Sequence, residues 1–377
     1  MAHRSFAGPA LAAALAATAM AAHAAAPQPA TKIESSLAVE ESIGPGAMSG
    51  SEIWLLVTRY ESVVTTVTEP GPNGGVVSRS GDGRRLQDGY SLVRLDLLSG
   101  ARRTMVEDGL IDLKSDGRIV YGLQTLPKGH GFGVTAFHGE SRDRLPDLPL
   151  AKGDEPVALV LDKGQPVVLS HRAVLRLRPD RMHWSYTTLG ERIGAGSRAV
   201  AASVKGGSAY MGAAKGFERI DLNTGQVTRM ALPGDTCPSG MACDAIGNLA
   251  ADPSQPACVL ASAGSSATPA RQLGVVRLCR DKIETVWRHA VNAAADAASP
   301  VARVAATSDG FWASSAADGL FLVRGADAKP FRLERARNLG GLKVSCLPNA
   351  VAVTAAHTPA GETPLLLEDP DSICRDP

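Results

Sequence analysis

A short apolar run, a Gly-rich turn, a second apolar run and then a hairpin around DLNTG make up GGSAYMGAAKGFERIDLNTGQVTRM, residues 206–230. The same order of events returns along most of the chain. The segments LIDLKSDGRIVYGLQT from Leu110, VALVLDKGQPVVLSH from Val157, VAASVKGGSAYMGAA from Val200, NLAADPSQPACVLASA from Asn248, RVAATSDGFWASSA from Arg303 and KVSCLPNAVAVTAAH from Lys343 each join two apolar runs through a turn rich in Gly, Asp, Asn, Pro or Ser. That pattern predicts a β-hairpin. A second hairpin is predicted in YSLVRLDLLSGARRTMV, FGVTAFHGESRDRL, AVLRLRPDRMHWSY, GFERIDLNTGQVTRM, GVVRLCRDKIETVW and GLFLVRGADAKPFRL. Within its third strand Phe217, Arg219 and Asp221 alternate with Glu218, Ile220 and Leu222, as a half-exposed strand does.

Two hairpins make a four-stranded unit that recurs every ~40 to 55 residues, the period and strand count of a β-propeller blade. The expected fold is therefore all-β: a propeller of about seven four-stranded blades, forming a single domain over residues 33–377. The segment IESSLAVE, Ile33–Glu40, has no unit of its own. It is expected to pair into the last blade and close the ring, because an open ring exposes two sheet edges. The first unit carries a long insert, residues 69–88, rich in Gly and Arg and read as a loop. A pair of β-sandwiches or a β-helix would also use short strands with Gly/Pro turns. Two sandwiches want a linker near mid-chain, and the repeat instead runs unbroken through residues 150–250.

The chain opens MAHRSFAGPALAAALAATAMAAHAAAPQPA, with Arg4, an Ala/Leu-rich run from Leu11 to Ala22, and Ala22-His23-Ala24 in small-x-small form. This reads as a signal peptide over residues 1–24 followed by a linker over residues 25–32. The apolar run is shorter than the ~20 residues of a membrane span. The first cysteine is Cys237, so no lipid anchor is expected, and a periplasmic or secreted location follows. The chain has 39 basic and 38 acidic residues, and residues 1–24 contain one basic residue and no acid. So balanced a charge disfavours nucleic acid and anionic membrane as partners.

Six cysteines in an exported chain read as three disulfides, with connectivity open among the 15 arrangements that six thiols allow. Spacing points to Cys237 with Cys243, Cys258 with Cys279, and Cys346 with Cys374. No CxxC or HExxH occurs to favour a metal.

GFERIDLNTGQVTRM resembles the hairpin of quinoprotein-type and YVTN-type propeller repeats, and DGFWASSAADGLFLVR resembles the repeat of two-component-regulator propellers. In shape the chain is also similar to the outer-membrane assembly propeller, a lipid-anchored family. These resemblances imply a fold and a shared loop face, not a function. Quinoproteins stack their cofactor on Trp; with four Trp and no CxxCH, no cofactor is expected.

In propellers, the loops between second and third strands and those between blades lie on one side of the disc. The resemblance thus implies that His130, His171 and His357 share that side, where a histidine serves as acid, base or ligand. Asp154, Glu155, Asp318 and Glu362 fall in loops and read as solvated carboxylates. Trp54, Trp184, Trp287 and Trp312 fall in strands and read as filling between sheets rather than as a sugar platform. No GxSxG elbow occurs. The leading expectation is a non-catalytic binder of a protein, peptide or small ligand on the loop face. A hydrolase or lyase with a His/carboxylate site at the channel mouth, and an envelope assembly scaffold, are the alternatives.

Overall fold

The computed structural model describes residues 32–70, 76–86, 90–96, 99, 101–127, 131–194, 201–204, 207–213, 216–233, 245–252, 254–264, 272–290, 303–306, 310–315, 319–324, 327–331, 341–342, 350–354, 357–359 and 365–368. The expected signal peptide, His130, Asp318, Glu362, Cys237, Cys243, Cys346 and Cys374 lie outside them.

The elements are strands throughout. The first sheet holds β1 (Lys32–Ser49), β2 (Glu52–Pro70), β3 (Val76–Leu86), β4 (Tyr90–Asp96), β5 (Arg102–Ser115), β6 (Val120–Thr125), β7 (Phe132–His138) and β8 (Ser141–Arg144). Four four-stranded antiparallel sheets follow. They are β9 (Pro156–Asp162), β10 (Gln165–Ser170), β11 (Ala173–Leu177) and β12 (Trp184–Thr188); β13 (Ala201–Val204), β14 (Ser208–Ala213), β15 (Gly216–Asp221) and β16 (Val227–Ala231); β17 (Ala245–Ala251), β18 (Cys258–Gly264), β19 (Gln272–Cys279) and β20 (Lys282–Ala290); and β21 (Arg303–Ala306), β22 (Phe311–Ser315), β23 (Gly319–Arg324) and β24 (Asp327–Phe331). In each, sequential strands are neighbours. The last sheet pairs β25 (Gly341–Leu342), β26 (Ala350–Thr354) and β28 (Leu365–Glu368), while β27 (His357–Pro359) pairs with β1.

Turn chemistry sets these registers. Asp162 faces Gln165 across a two-residue turn in which Lys163 has φ 52° and Gly164 φ 77°. Both left-handed values are what a type I′ hairpin requires. At the DLNTG turn, Gly225 has φ +73°, and an added Cβ would lie 2.3 Å from the Thr188 carbonyl oxygen of the preceding sheet. Only glycine lets that hairpin nest there.

The sheets bury both faces against one another. Tyr121, Leu123, Val134 and Ala136 of the first sheet pack with Leu159, Val168, Leu175 and Trp184 of the β9–β12 sheet. The other face of that sheet, through Val160, Val167, Leu169 and Val174, meets Ala209, Met211 and Ile220. Tyr210, Phe217 and Met230 then meet Val259, Ala261, Val276 and Leu278, and Leu260 and Val275 meet Val304, Phe311, Ala313 and Val323. Each fully buried aliphatic or aromatic side chain contributes about 1.5–3 kcal/mol. The leading strands of the successive units, β5, β9, β13, β17, β21 and β25, lie side by side in that order.

Polar links repeat the same step from one four-stranded unit to the next, the first of them inside the first sheet. Arg94 of β4 reaches Glu140 at the β7–β8 turn (3.0 Å), and Arg176 of β11 reaches Leu222 O and Asn223 Oδ1 at the β15–β16 turn (both 3.2 Å). Arg219 of β15 reaches Asp281 at the β19–β20 turn (2.9 Å). Among the leading strands, buried Asp112 of β5 accepts the Leu159 N–H of β9 (2.9 Å).

Three expectations are corrected. The third strands are not half exposed: Phe217 packs toward one neighbouring sheet and Ile220 toward the other, because the sheet is sandwiched. Residues 69–88 are not a plain loop, since β2 runs to Pro70 and β3 pairs with it. Finally, residues 33–40 do not enter the last sheet, and no closed ring is seen among the described residues. β1 belongs to the first sheet beside β2, and its Glu40, Glu41 and Ser42 pair with Pro359, Thr358 and His357 of β27.

By internal contacts the chain divides into Met1–Leu37 with Val63–Gly83, and Ala38–Ser62 with Arg84–Pro377. All sheet-to-sheet packing described above lies in the second unit.

Candidate functional site

His171 follows β10 directly, at the turn into β11. Its backbone N–H donates to Glu155 O (3.2 Å), and its carbonyl accepts the Ile193 N–H (3.0 Å). The ring is held as well, with Nδ1 2.7 Å from Ile193 O. A carbonyl only accepts, so Nδ1 carries a proton, and the neutral ring has its lone pair on Nε2. Half-buried and fixed in tautomer, His171 offers a single acceptor at the rim of the β9–β12 sheet.

The turn beneath it is built from a buried pair. Ser170, fully buried, donates to Asp154 Oδ2 (2.6 Å) and accepts the N–H of Ala173 (2.9 Å), and Asp154 Oδ1 accepts the Glu155 N–H (3.1 Å). Asp154 is thus a structural carboxylate rather than the solvated one expected from sequence. Glu155 is exposed, as expected. The Asp154–Ser170 pair pins the start of β9 to the end of β10 and, being buried, meets no substrate as it stands.

The next sheet completes the rim. Glu218 of β15, also buried, accepts the Gly194 N–H (3.2 Å) beside Ile193, and its other oxygen lies 3.9 Å from Arg229 Nε. Arg229 also meets Glu191 (3.1 Å). Sequence reasoning missed Glu218, Ile193 and Gly194. The one available signal was a Glu on a strand whose neighbours are apolar on both faces. The rim therefore carries His171 Nε2 between exposed charges of both signs: Glu155, Arg172, Glu191 and Arg192. Such an edge accepts a hydrogen bond and pairs with mixed charge.

His357 lies in β27 opposite Ser42, and its side chain is outside the described residues. Of the three histidines, only His171 has its side chain among the described residues. Among the described residues no group of three or more His, Cys, Asp or Glu could hold a metal ion, and no helix is long and apolar enough to cross a membrane.

Trp184 and Trp287 fill between sheets, and Trp54 packs among strands of the first sheet. Trp184 is buried with Nε1 bonded to Pro146 O (2.8 Å), Trp54 lies 5.8 Å from Phe137, and Trp287 meets Phe311 edge-on at 6.4 Å. Cys258 and Cys279 face each other across β18 and β19 and are joined by a disulfide, as expected. Their Cα separation of 4.4 Å is that of a non-hydrogen-bonded cross-strand pair.

No protein-family model matches the chain, and no curated protein is similar to it. Among solved structures it is similar to the computationally designed Ika8 protein, with 15% identity over 84% of this chain and 81% of that one at a TM-score of 0.47. It is also similar to YCF48 bound to D1 peptide (10% identity, 81% and 96% covered, TM-score 0.40) and to the WD40 beta propeller domain of Doa1 (10% identity, 80% and 98% covered, TM-score 0.41).

Proposed function

We propose that this is an exported β-propeller of about seven blades that binds a protein, peptide or small ligand on its loop face without catalysis. The observation that carries the reading is the stacking of successive sheets on both faces with their leading strands side by side. Sheets so covered leave loops for recognition, and loops on a rigid scaffold recur as binding surfaces. The pairing of Glu40–Ser42 with His357–Pro359 supports a ring in which the first and last repeats meet. The Cys258–Cys279 disulfide supports an oxidising compartment. His130, His171 and His357 are proposed as members of the binding face, with His171 Nε2 as an acceptor.

The test is capture of partners from an envelope extract by the mature protein and by Arg172→Glu, a reversal at an exposed side chain. Loss of a captured partner at unchanged melting temperature supports the reading. Identical capture by both would overturn the choice of face. Turnover of ester or glycosidic substrates that vanished in a His171→Ala, His357→Ala variant would favour the hydrolase or lyase alternative instead.

A further inference from the structure

The hairpin turns of successive units are not used alike. Glu140, Asn223 and Asp281 each meet an arginine of an earlier strand: Arg94 of β4, Arg176 of β11 and Arg219 of β15. β7 carries no arginine, and the β11–β12 turn, residues 178–183, closes on itself instead. The Arg178 N–H donates to His183 O, and the Arg181 N–H to Arg178 O, both at 2.9 Å. Asp180 then anchors two neighbours at once. Its Oδ1 accepts the Met182 N–H (2.9 Å), and its Oδ2 lies 3.1 Å from His183 Nδ1. The Met182 N–H foremost, with the His183 ring, holds the Asp180 carboxyl below the ordinary carboxylate range.

This anchored turn presents two metal-binding donor types side by side. Met182, a residue usually buried, is 67% exposed. The His183 side chain is 71% exposed. A carboxylate only accepts, so Nδ1 carries a proton, and the neutral ring has its lone pair on Nε2. Consecutive Cα atoms are ~3.8 Å apart, and the unbranched, freely rotating thioether of Met182 reaches the edge of the next residue's ring.

We propose that Met182 and His183 form a binding site for a soft monovalent cation, Cu(I) or Ag(I). A thioether selects such ions, and imidazole binds copper as well. A closed-shell monovalent ion is also satisfied by few ligands, so this pair needs no cluster of carboxylates or cysteines. The charges of the turn favour the same class: exposed Arg178 and Arg181 flank the one carboxylate of Asp180 and oppose a divalent ion more than a monovalent one. Asp180 is a positioning residue, fixing the ring through its far nitrogen as carboxylates do behind metal-bound histidines. The site depends neither on the loop face nor on the meeting of first and last repeats.

The test is NMR of the mature protein carrying methyl-labelled methionine, titrated with Ag(I) in chloride-free buffer. The Met182 methyl resonance is assigned by its absence in Met182→Leu, a change at an exposed side chain that leaves the melting temperature unaltered. Ag(I) at about 1–100 µM is expected to shift it. His183→Phe raises the dissociation constant read from that shift at least ~10-fold, the loss that removal of even an outer-shell partner brings. A Met182 resonance unmoved up to ~1 mM Ag(I), beyond any specific affinity worth the name, overturns the proposal. An equal dissociation constant in His183→Phe overturns it too, since the thioether would then be acting alone.

Discussion

The Arg219 guanidinium of one sheet lies 2.9 Å from the Asp281 carboxylate at the hairpin turn of the next. Arg176 occupies the equivalent place one sheet earlier, but it also bonds Asp162, whose side chain is 7% exposed. The two links therefore differ in weight. Asp281 is 72% exposed and returns to water when its partner is removed, so Arg219→Ala costs within ~1 kcal/mol. Arg176→Ala strands a buried carboxylate and costs about 3 kcal/mol or more. Urea titration of the two variants checks the order. Equal losses would contradict it.

Asp112 makes a comparable link between leading strands. Its Oδ2 accepts the fully buried Leu159 N–H of β9, and Oδ1 accepts the N–H of Leu113 (2.7 Å). Asp112→Ala leaves both donors without a partner, at about 1–3 kcal/mol each. Hydrogen exchange at Leu159 should accelerate in this variant by more than at distant strands such as β22. A uniform acceleration would mean that Asp112 acts on global stability alone.

The Cys258–Cys279 bridge closes a 21-residue separation. Removing both cysteines lowers stability by about 3 kcal/mol, the chain-entropy value for a loop of that size. Peptide mapping without reduction must also show the two linked. A free thiol at either position refutes the assignment.

Asp221 begins the DLNTG turn. Partial burial opposes its charged form, but the N–H groups of Thr224 and Asn223 more than offset this and hold its carboxyl below the usual range. A depressed folded value means stability that is fully present above the unfolded carboxyl value of about 3.9 and is lost as pH falls through the folded one. Asp221→Asn should therefore be less stable than wild type at neutral pH, with the gap narrowing below about pH 4. A gap that stayed constant on acidification would remove the linkage.

What the sequence disclosed followed the range of the interaction. The turns at Lys163-Gly164, Asn223-Thr224 and Arg280-Asp281 were legible because a few adjacent residues dictate each hairpin. The Cys258–Cys279 pair was legible for the same reason. The β2–β3 arm was not, since Gly81, Asp82 and Gly83 interrupt the apolar alternation that signals a strand. Nor were the partners of the candidate site. His171 meets Ile193 of the segment after β12, and Asp112 meets Leu159 across sheets, at separations of 22 and 47 residues, where no local pattern survives. Phe217 and Ile220 show a related limit: alternation reveals two faces, but not whether the second is covered by water or by another sheet.

The account's central claim is that the first and last repeats meet, and the register of Ser42 with His357 and Glu41 with Thr358 locates the meeting. Adjacent antiparallel pairs alternate between close and wide spacing, so one of the two suits a disulfide. Mass spectrometry of oxidised Ser42→Cys, His357→Cys and Glu41→Cys, Thr358→Cys proteins measures it directly. One of the two pairs is predicted to appear as a linked peptide, formed within a single chain. If both pairs remain as free thiols, the two ends do not pair and the propeller reading fails.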